Sequence, residues 1–105
     1  MNENDPLVHS LLSLLALIQG DHEKAVKEGR KAITLGPSES EVHLLFGEVL
    51  YQSGNIEEAV KMCEMAIRLH PYPPLYYLGH TLNAYYWVGR YDESLVLAER
   101  LIDLG

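Results

Sequence analysis

Basic residues are scarce in this chain of 105: eight Lys and Arg stand against fifteen Asp and Glu, a formal net charge of −7. Phosphate backbones are held by basic stripes and repelled by surplus carboxylates, which argues against a nucleic-acid partner. Cysteine is down to Cys63, which has no internal disulfide partner and fits a reducing compartment. The histidines, His9, His22, His43, His70 and His80, lie far apart with no HxxxH spacing, so no metal and no other cofactor is expected. Glycine-rich phosphate loops and nucleophile–base constellations are also missing. Carboxylates do pair at Glu57-Glu58 and Asp92-Glu93, but at helix starts, where the helix dipole accounts for them. The chain is therefore not read as an enzyme. Its one strongly apolar run, Leu7 to Ile18, has 12 residues, well short of the about 20 that cross a bilayer. The leader Asn2-Glu3-Asn4-Asp5 is acidic, whereas a signal peptide opens basic. A soluble, cytoplasmic protein without membrane insertion is expected.

Periodicity is what the chain has in abundance. Gly20, Ala25, Ala32 and Pro37 recur as Gly54, Ala59, Ala66 and Pro71, each shifted by 34, and Gly89 and Ser94 answer Gly54 and Ala59 at a shift of 35. A fixed period in this range points to stacked repeats. Apolar spacing is helical throughout, and the punctuation divides the chain into six helices. Asp5-Pro6 opens the first, which stops at Gly20, and Asp21 opens the second, which ends at Gly36-Pro37. Ser38-x-x-Glu41 reads as a capping box for the third and Asn55-x-x-Glu58 as the opening of the fourth. Prolines 71, 73 and 74 forbid helix at the next corner, leaving a fifth helix over about 75–88 and a sixth from Tyr91. Ala25, Ala32, Gly47, Ala59 and Ala66 are expected where helices approach closely. Leu12, Val26, Phe46, Leu50, Val60, Tyr85 and Leu95 are expected to fill between them, and Cys63 to be buried and inert. The alternating charges of the second and fourth helices, including Glu28 and Glu64, read as a solvated face.

Gly54-Asn-x-x-x-Ala59, Ala66, Pro71 and Phe46-Gly47, together with Ala84-Tyr85-Tyr86 and Gly89-Arg90-Tyr91, resemble the tetratricopeptide repeat family. The resemblance runs from about Pro6 to Leu104 and implies an all-α fold: three helix-turn-helix repeats (about 6–39, 40–74 and 75–105) in a right-handed α-solenoid. Departures are His9 and His43 where the family often has tryptophan, Gly29 and Cys63 where it prefers an aromatic, and Leu82 and Ser94 at two small positions, which suggests a splayed third pair. The apolar first helix and the chain end directly after the sixth are read as marks of a segment from a longer protein.

The family lines a concave face with the first helix of each pair, which implies Leu7, Leu11 and Leu14, then Glu41, Leu44, Leu45, Glu48, Tyr51 and Gln52. From the third pair it implies Tyr76, Gly79, His80, Asn83, Tyr86 and Trp87. That set holds carboxylates, an amide and aromatics but no Lys or Arg, so the mode in which basic residues grip a terminal carboxylate is not expected. Tyr51, Tyr76, Tyr86 and Trp87 are interface candidates, while Tyr85 and Tyr91 are read as packing residues. The expected function is a scaffold that binds a protein or peptide in this groove. The alternatives are self-assembly through the terminal helices, or a regulatory region of a larger signalling enzyme. For the latter, the run from His70 through Ser94 is similar to repeats in the tails of some bacterial nucleotide cyclases, which would make the source bacterial or archaeal.

Overall fold

A computed structural model describes residues 4–104; the readings made at Asn2-Glu3 and Gly105 lie outside the described residues. It holds six α-helices and, among the described residues, no strand: α1 Pro6–Ile18, α2 His22–Leu35, α3 Ser40–Gln52, α4 Ile56–Leu69, α5 Leu75–Val88 and α6 Tyr91–Leu104. No helix among them is long and apolar enough to cross a membrane.

The turn inside each pair is built the same way three times. Gly20, Gly54 and Gly89 have φ of 80°, 90° and 89°, a left-handed conformation that glycine adopts without a Cβ penalty. The amides of Asp21, Asn55 and Arg90 then reach back to the carbonyls of Ala16, Leu50 and Tyr85 at 2.8–2.9 Å, closing a Schellman motif on each first helix. At the helix starts Asp5 accepts from the Leu7 amide at 2.9 Å and Asp21 from the Lys24 amide at 3.1 Å. The expected capping box at Ser38 did not form: the third helix begins at Ser40, with Glu39 at its N-cap and no side-chain cap. Asn55 opens the fourth helix as expected, at its N-cap position, though its side chain makes no cap hydrogen bond. The glutamates are drawn away: Glu41 to two tyrosine hydroxyls of α5, Glu58 to Arg30 on α2.

Each pair closes at one crossing, formed by positions 13 and 25, 47 and 59, and 82 and 94. Ser13 Oγ donates to the Ala25 carbonyl at 2.6 Å. Gly47 leaves so little room that a Cβ would stand 2.8 Å from Cys63 Sγ and 3.4 Å from the Ala59 carbonyl. In the third pair Leu82 stands where the other first helices have a small residue, and Ser94 Oγ of the second helix donates to the Leu82 carbonyl at 3.2 Å. Between pairs, Ala16, Ala25, Phe46, Val49, Leu50 and Ala59 form one core cluster and Leu44, Val60, Cys63, Ala66, Tyr77 and Ala84 a second. Gly29 replaces an aromatic because the Phe46 ring already fills its space, at 2.3 Å from where a Cβ would sit. Leu12 and Leu95, expected in the packing, are exposed, for no helix among the described residues covers those flanks.

Glu28 is not part of a solvated face. It is 9% exposed and takes His9 Nδ1 at 2.7 Å, tying α1 to α2. Glu64 likewise accepts from the Tyr85 hydroxyl at 2.7 Å, across to α5. Successive first helices touch, α1 with α3 and α3 with α5, whereas among the described residues α2 does not pack on α4 nor α4 on α6. The first helices therefore line the inside of the curve. The bidentate pair Arg30–Glu58, at 2.7 and 2.9 Å, joins α2 to α4.

Two outcomes follow from this packing. Gly29→Ala forces the Phe46 ring aside and costs about 1–3 kcal/mol, more than the about 1 kcal/mol that alanine gains in helix propensity. Gly79→Ala meets nothing within 4 Å and stabilises by about 0.5–1 kcal/mol; urea unfolding separates the two signs. The second concerns acid. The His9 hydrogen bond holds the Glu28 carboxyl below its ordinary value of 4.5, so its contribution is present above pH 4.5 and is lost as pH falls through the lower folded value. Glu28→Gln lowers stability by about 1–3 kcal/mol near neutrality and flattens the decline in the unfolding midpoint below pH 4.5.

Candidate functional site

The inner face is built on α3 and α5. On α5 the residues Tyr77, Leu78, Thr81 and Ala84 are buried; with 3.6 residues per turn Tyr76, His80, Asn83 and Trp87 form one stripe beside them, with Gly79 and Tyr86 on its outer edge. The same spacing on α3 gives Glu41, Leu45, Glu48 and Gln52. Two contacts show that the faces adjoin. Tyr76 donates to Glu41 Oε2 at 2.8 Å, and His80 Nε2 stands 4.0 Å from Glu48 Oε2.

Glu41 is firmly placed. Tyr77, buried between the helices, donates to the same Oε2 at 2.8 Å and is itself 3.0 Å from Ser40 Oγ. Donating to the Glu41 carboxylate pushes the Tyr76 phenol up to about 12. Burial raises Tyr77 in the same direction. Glu48 also accepts from Gln52 Nε2, at 3.3 Å. Further along α5 the aromatics gather in edge-to-face pairs, Tyr86 with Trp87 at 5.8 Å and Tyr86 with Tyr91 at 5.6 Å between ring centroids. Their exposures are 55%, 61% and 63%.

The structure sorts the expected site residues into groups. Glu41, Glu48, Tyr76 and His80 are brought together by the contacts above, and Asn83, Tyr86 and Trp87 continue the same side of α5. Leu44 is not on that side: at 1% exposure it belongs to the second core cluster with Tyr77 of α5. Its place in the helical repeat is the flank that the next first helix covers. Leu14 and Tyr51 are half-buried against the first core cluster, so each offers only part of its surface. Tyr85 packs as expected, against the second cluster, with Arg90 lying 4.8 Å over its ring. Tyr91, expected in the packing, is open. The signal lay in Gly89: a left-handed turn there brings the first residue of α6 back beside Tyr86.

Cys63 is fully buried, and desolvation pushes its thiol up to about 12, which leaves it protonated and unreactive at neutral pH. Among the described residues no three His, Cys, Asp or Glu side chains could share a metal ion. A depression of about 480 Å³ lies elsewhere, against Lys27, Arg30, Lys31 and Thr34 of α2. Arg30 there is engaged by Glu58, and Lys31 lies 3.7 Å from Glu28, so the depression is a gap between solvated side chains. What the inner face offers is contact area: aromatic surface, fixed carboxylates and an amide.

A family model described as tetratricopeptide repeat matches residues 16–78, more than half of the chain. Among solved structures, the second such domain of Spaghetti (RPAP3), bound to the HSP90 peptide SRMEEVD, has a TM-score of 0.83 at 18% identity. The match covers 96% of this chain and 93% of that one. A mutant of MamA gives 0.81 at 22% identity, over 99% and 74% of the two chains. The N-terminal domain of stress-induced protein-1 (STI-1) from C. elegans gives 0.77 at 21%, over 98% and 87%. At these identities the likeness is one of fold. No curated protein matches significantly.

Proposed function

The chain belongs to the tetratricopeptide repeat family, and we propose that it is a protein-interaction module holding a partner segment against the inner face of α3 and α5. The observation that carries this reading is the open aromatic stripe. Tyr76, Tyr86 and Trp87 stand half or more exposed on the side of α5 turned away from its core. Large aromatics leave water most favourably in an interface and lose little side-chain entropy there. A repeat domain of the same fold, that of RPAP3, carries a bound peptide, and members of the family are generally interaction modules rather than enzymes. A role beside a larger signalling enzyme rests on the sequence of residues 70–94 alone, and the fold relatives add nothing to it. Double replacement Tyr86→Ala/Trp87→Ala weakens partner capture by about tenfold or more while far-UV helicity stays unchanged. Tyr51 is left intact because its ring supports the core. Undiminished capture by the folded variant contradicts the reading.

Self-assembly has its own supporting observation. Leu7, Leu11, Leu15 and Ile18 are exposed along α1, as are Leu95, Val96 and Ile102 along α6, more apolar surface than scattered single residues account for. Leu95 answers Val60, which α5 covers in the second pair. Association predicts a scattering mass that rises between micromolar and millimolar protein and falls back in Leu11→Lys/Ile102→Lys. A constant monomer mass removes this reading.

A further inference from the structure

We infer that the inner face selects a cationic segment: an extended stretch with two basic side chains three positions apart and apolar residues beside them. The inference rests on the reading of this face as the binding surface and adds the chemistry of its partner. The first observation is charge. Glu41, Glu48, Tyr76, His80, Asn83, Tyr86 and Trp87 include two carboxylates and no Lys or Arg, and the chain as a whole carries a net charge of −7. The second is pre-organisation. Tyr76 and Tyr77 both bond to Oε2 of Glu41, which fixes the carboxylate, while Oε1 takes no protein hydrogen bond among the described residues. A partner's ammonium or guanidinium meets an acceptor already in place, so little side-chain freedom is lost on binding.

Spacing supplies the third. Seven residues of helix separate Glu41 from Glu48, a rise of about 10.5 Å. A segment extended as polyproline II has three residues per turn and advances about 3.1 Å per residue, so basic side chains at positions i and i+3 share one side, span about 9 Å and meet both carboxylates. Trp87, Tyr86 and Tyr91 continue the face, and their rings accept an aliphatic side chain or a further guanidinium. An acidic peptide such as SRMEEVD, the ligand of the RPAP3 domain, meets like charge here and no basic side chain to hold it.

Fluorescence anisotropy with two labelled nine-residue peptides decides the matter. One carries two arginines three positions apart with a leucine beside each; the other has glutamates in place of the arginines. The arginine peptide binds, and Glu41→Gln/Glu48→Gln weakens it by about fivefold to tenfold, the sum expected of two largely exposed charge pairs. Asn83→Arg, a replacement on the exposed side of α5 that touches no core residue, weakens it further, and so does raising the salt from 50 to 500 mM, as screening requires. Binding of the glutamate peptide with equal strength, lost in Tyr86→Ala/Trp87→Ala, overturns the charge selection and leaves the groove reading standing. Arginine-peptide binding indifferent to the glutamate and Asn83 variants overturns the inference as well. Failure of both peptides to bind overturns it outright, and capture of cellular partners by the wild type but not the Tyr86/Trp87 variant then keeps the groove reading separate.

Discussion

Close approach at the crossing inside each helix pair is the constraint on which this molecule depends. Positions 13 and 25, 47 and 59, and 82 and 94 are kept small on at least one side, and two of the three crossings are closed by a serine donating to a backbone carbonyl across the pair. Where there is no serine, Gly47 sits so near Cys63 and Ala59 that even a methyl group is crowded. Helices this close leave no room for rings between the two members of a pair. Phe46, Tyr77 and Tyr85 go between pairs, and Tyr76, Tyr86 and Trp87 of α5 go to the open side. The exposed stripe and the small-residue crossings are thus two results of one packing rule.

The helices are then joined, within and between pairs, by polar contacts with long sequence reach. His9–Glu28 fastens α1 to α2, Arg30–Glu58 fastens α2 to α4, and Tyr85–Glu64 fastens α5 to α4. Burial and the Glu64 hydrogen bond raise the Tyr85 phenol above its ordinary value, and the Arg30 hydrogen bond lowers Glu58. Glu41 belongs to the same class of contact, joining α3 to α5 through Tyr76 and Tyr77, and lies on the face proposed for binding.

Local chemistry explains what the sequence makes legible. Asp5 and Asp21 cap as their neighbours require, the three glycines turn the chain where the period puts them, and Ala25, Ala32, Ala59 and Ala66 are wholly buried. The misreadings share a cause: a short motif sees only its own few residues. Ser38-x-x-Glu41 is a sound capping box until two tyrosines 35 and 36 residues away claim the carboxylate. Glu28 belongs to a regular charge alternation until His9, 19 residues earlier, draws it inward. Leu44 shares the helical spacing of Glu41 and Glu48 but lies on the flank that α5 covers, and periodicity alone does not separate the middle of a face from its edge. Tyr91 shows the converse, a residue exposed because the αL turn at Gly89 returns it beside Tyr86.

The central claim is that the inner face of α3 and α5, aromatic and anionic, is the working surface. Amide chemical-shift mapping of the isotopically labelled protein during titration with the arginine peptide tests it most directly. The account predicts shifts that saturate together and concentrate in residues 41–52 and 76–87, with the Trp87 indole among the largest. Shifts concentrated on the outer sides of α2, α4 or α6, with Tyr76 to Trp87 unmoved, would contradict it.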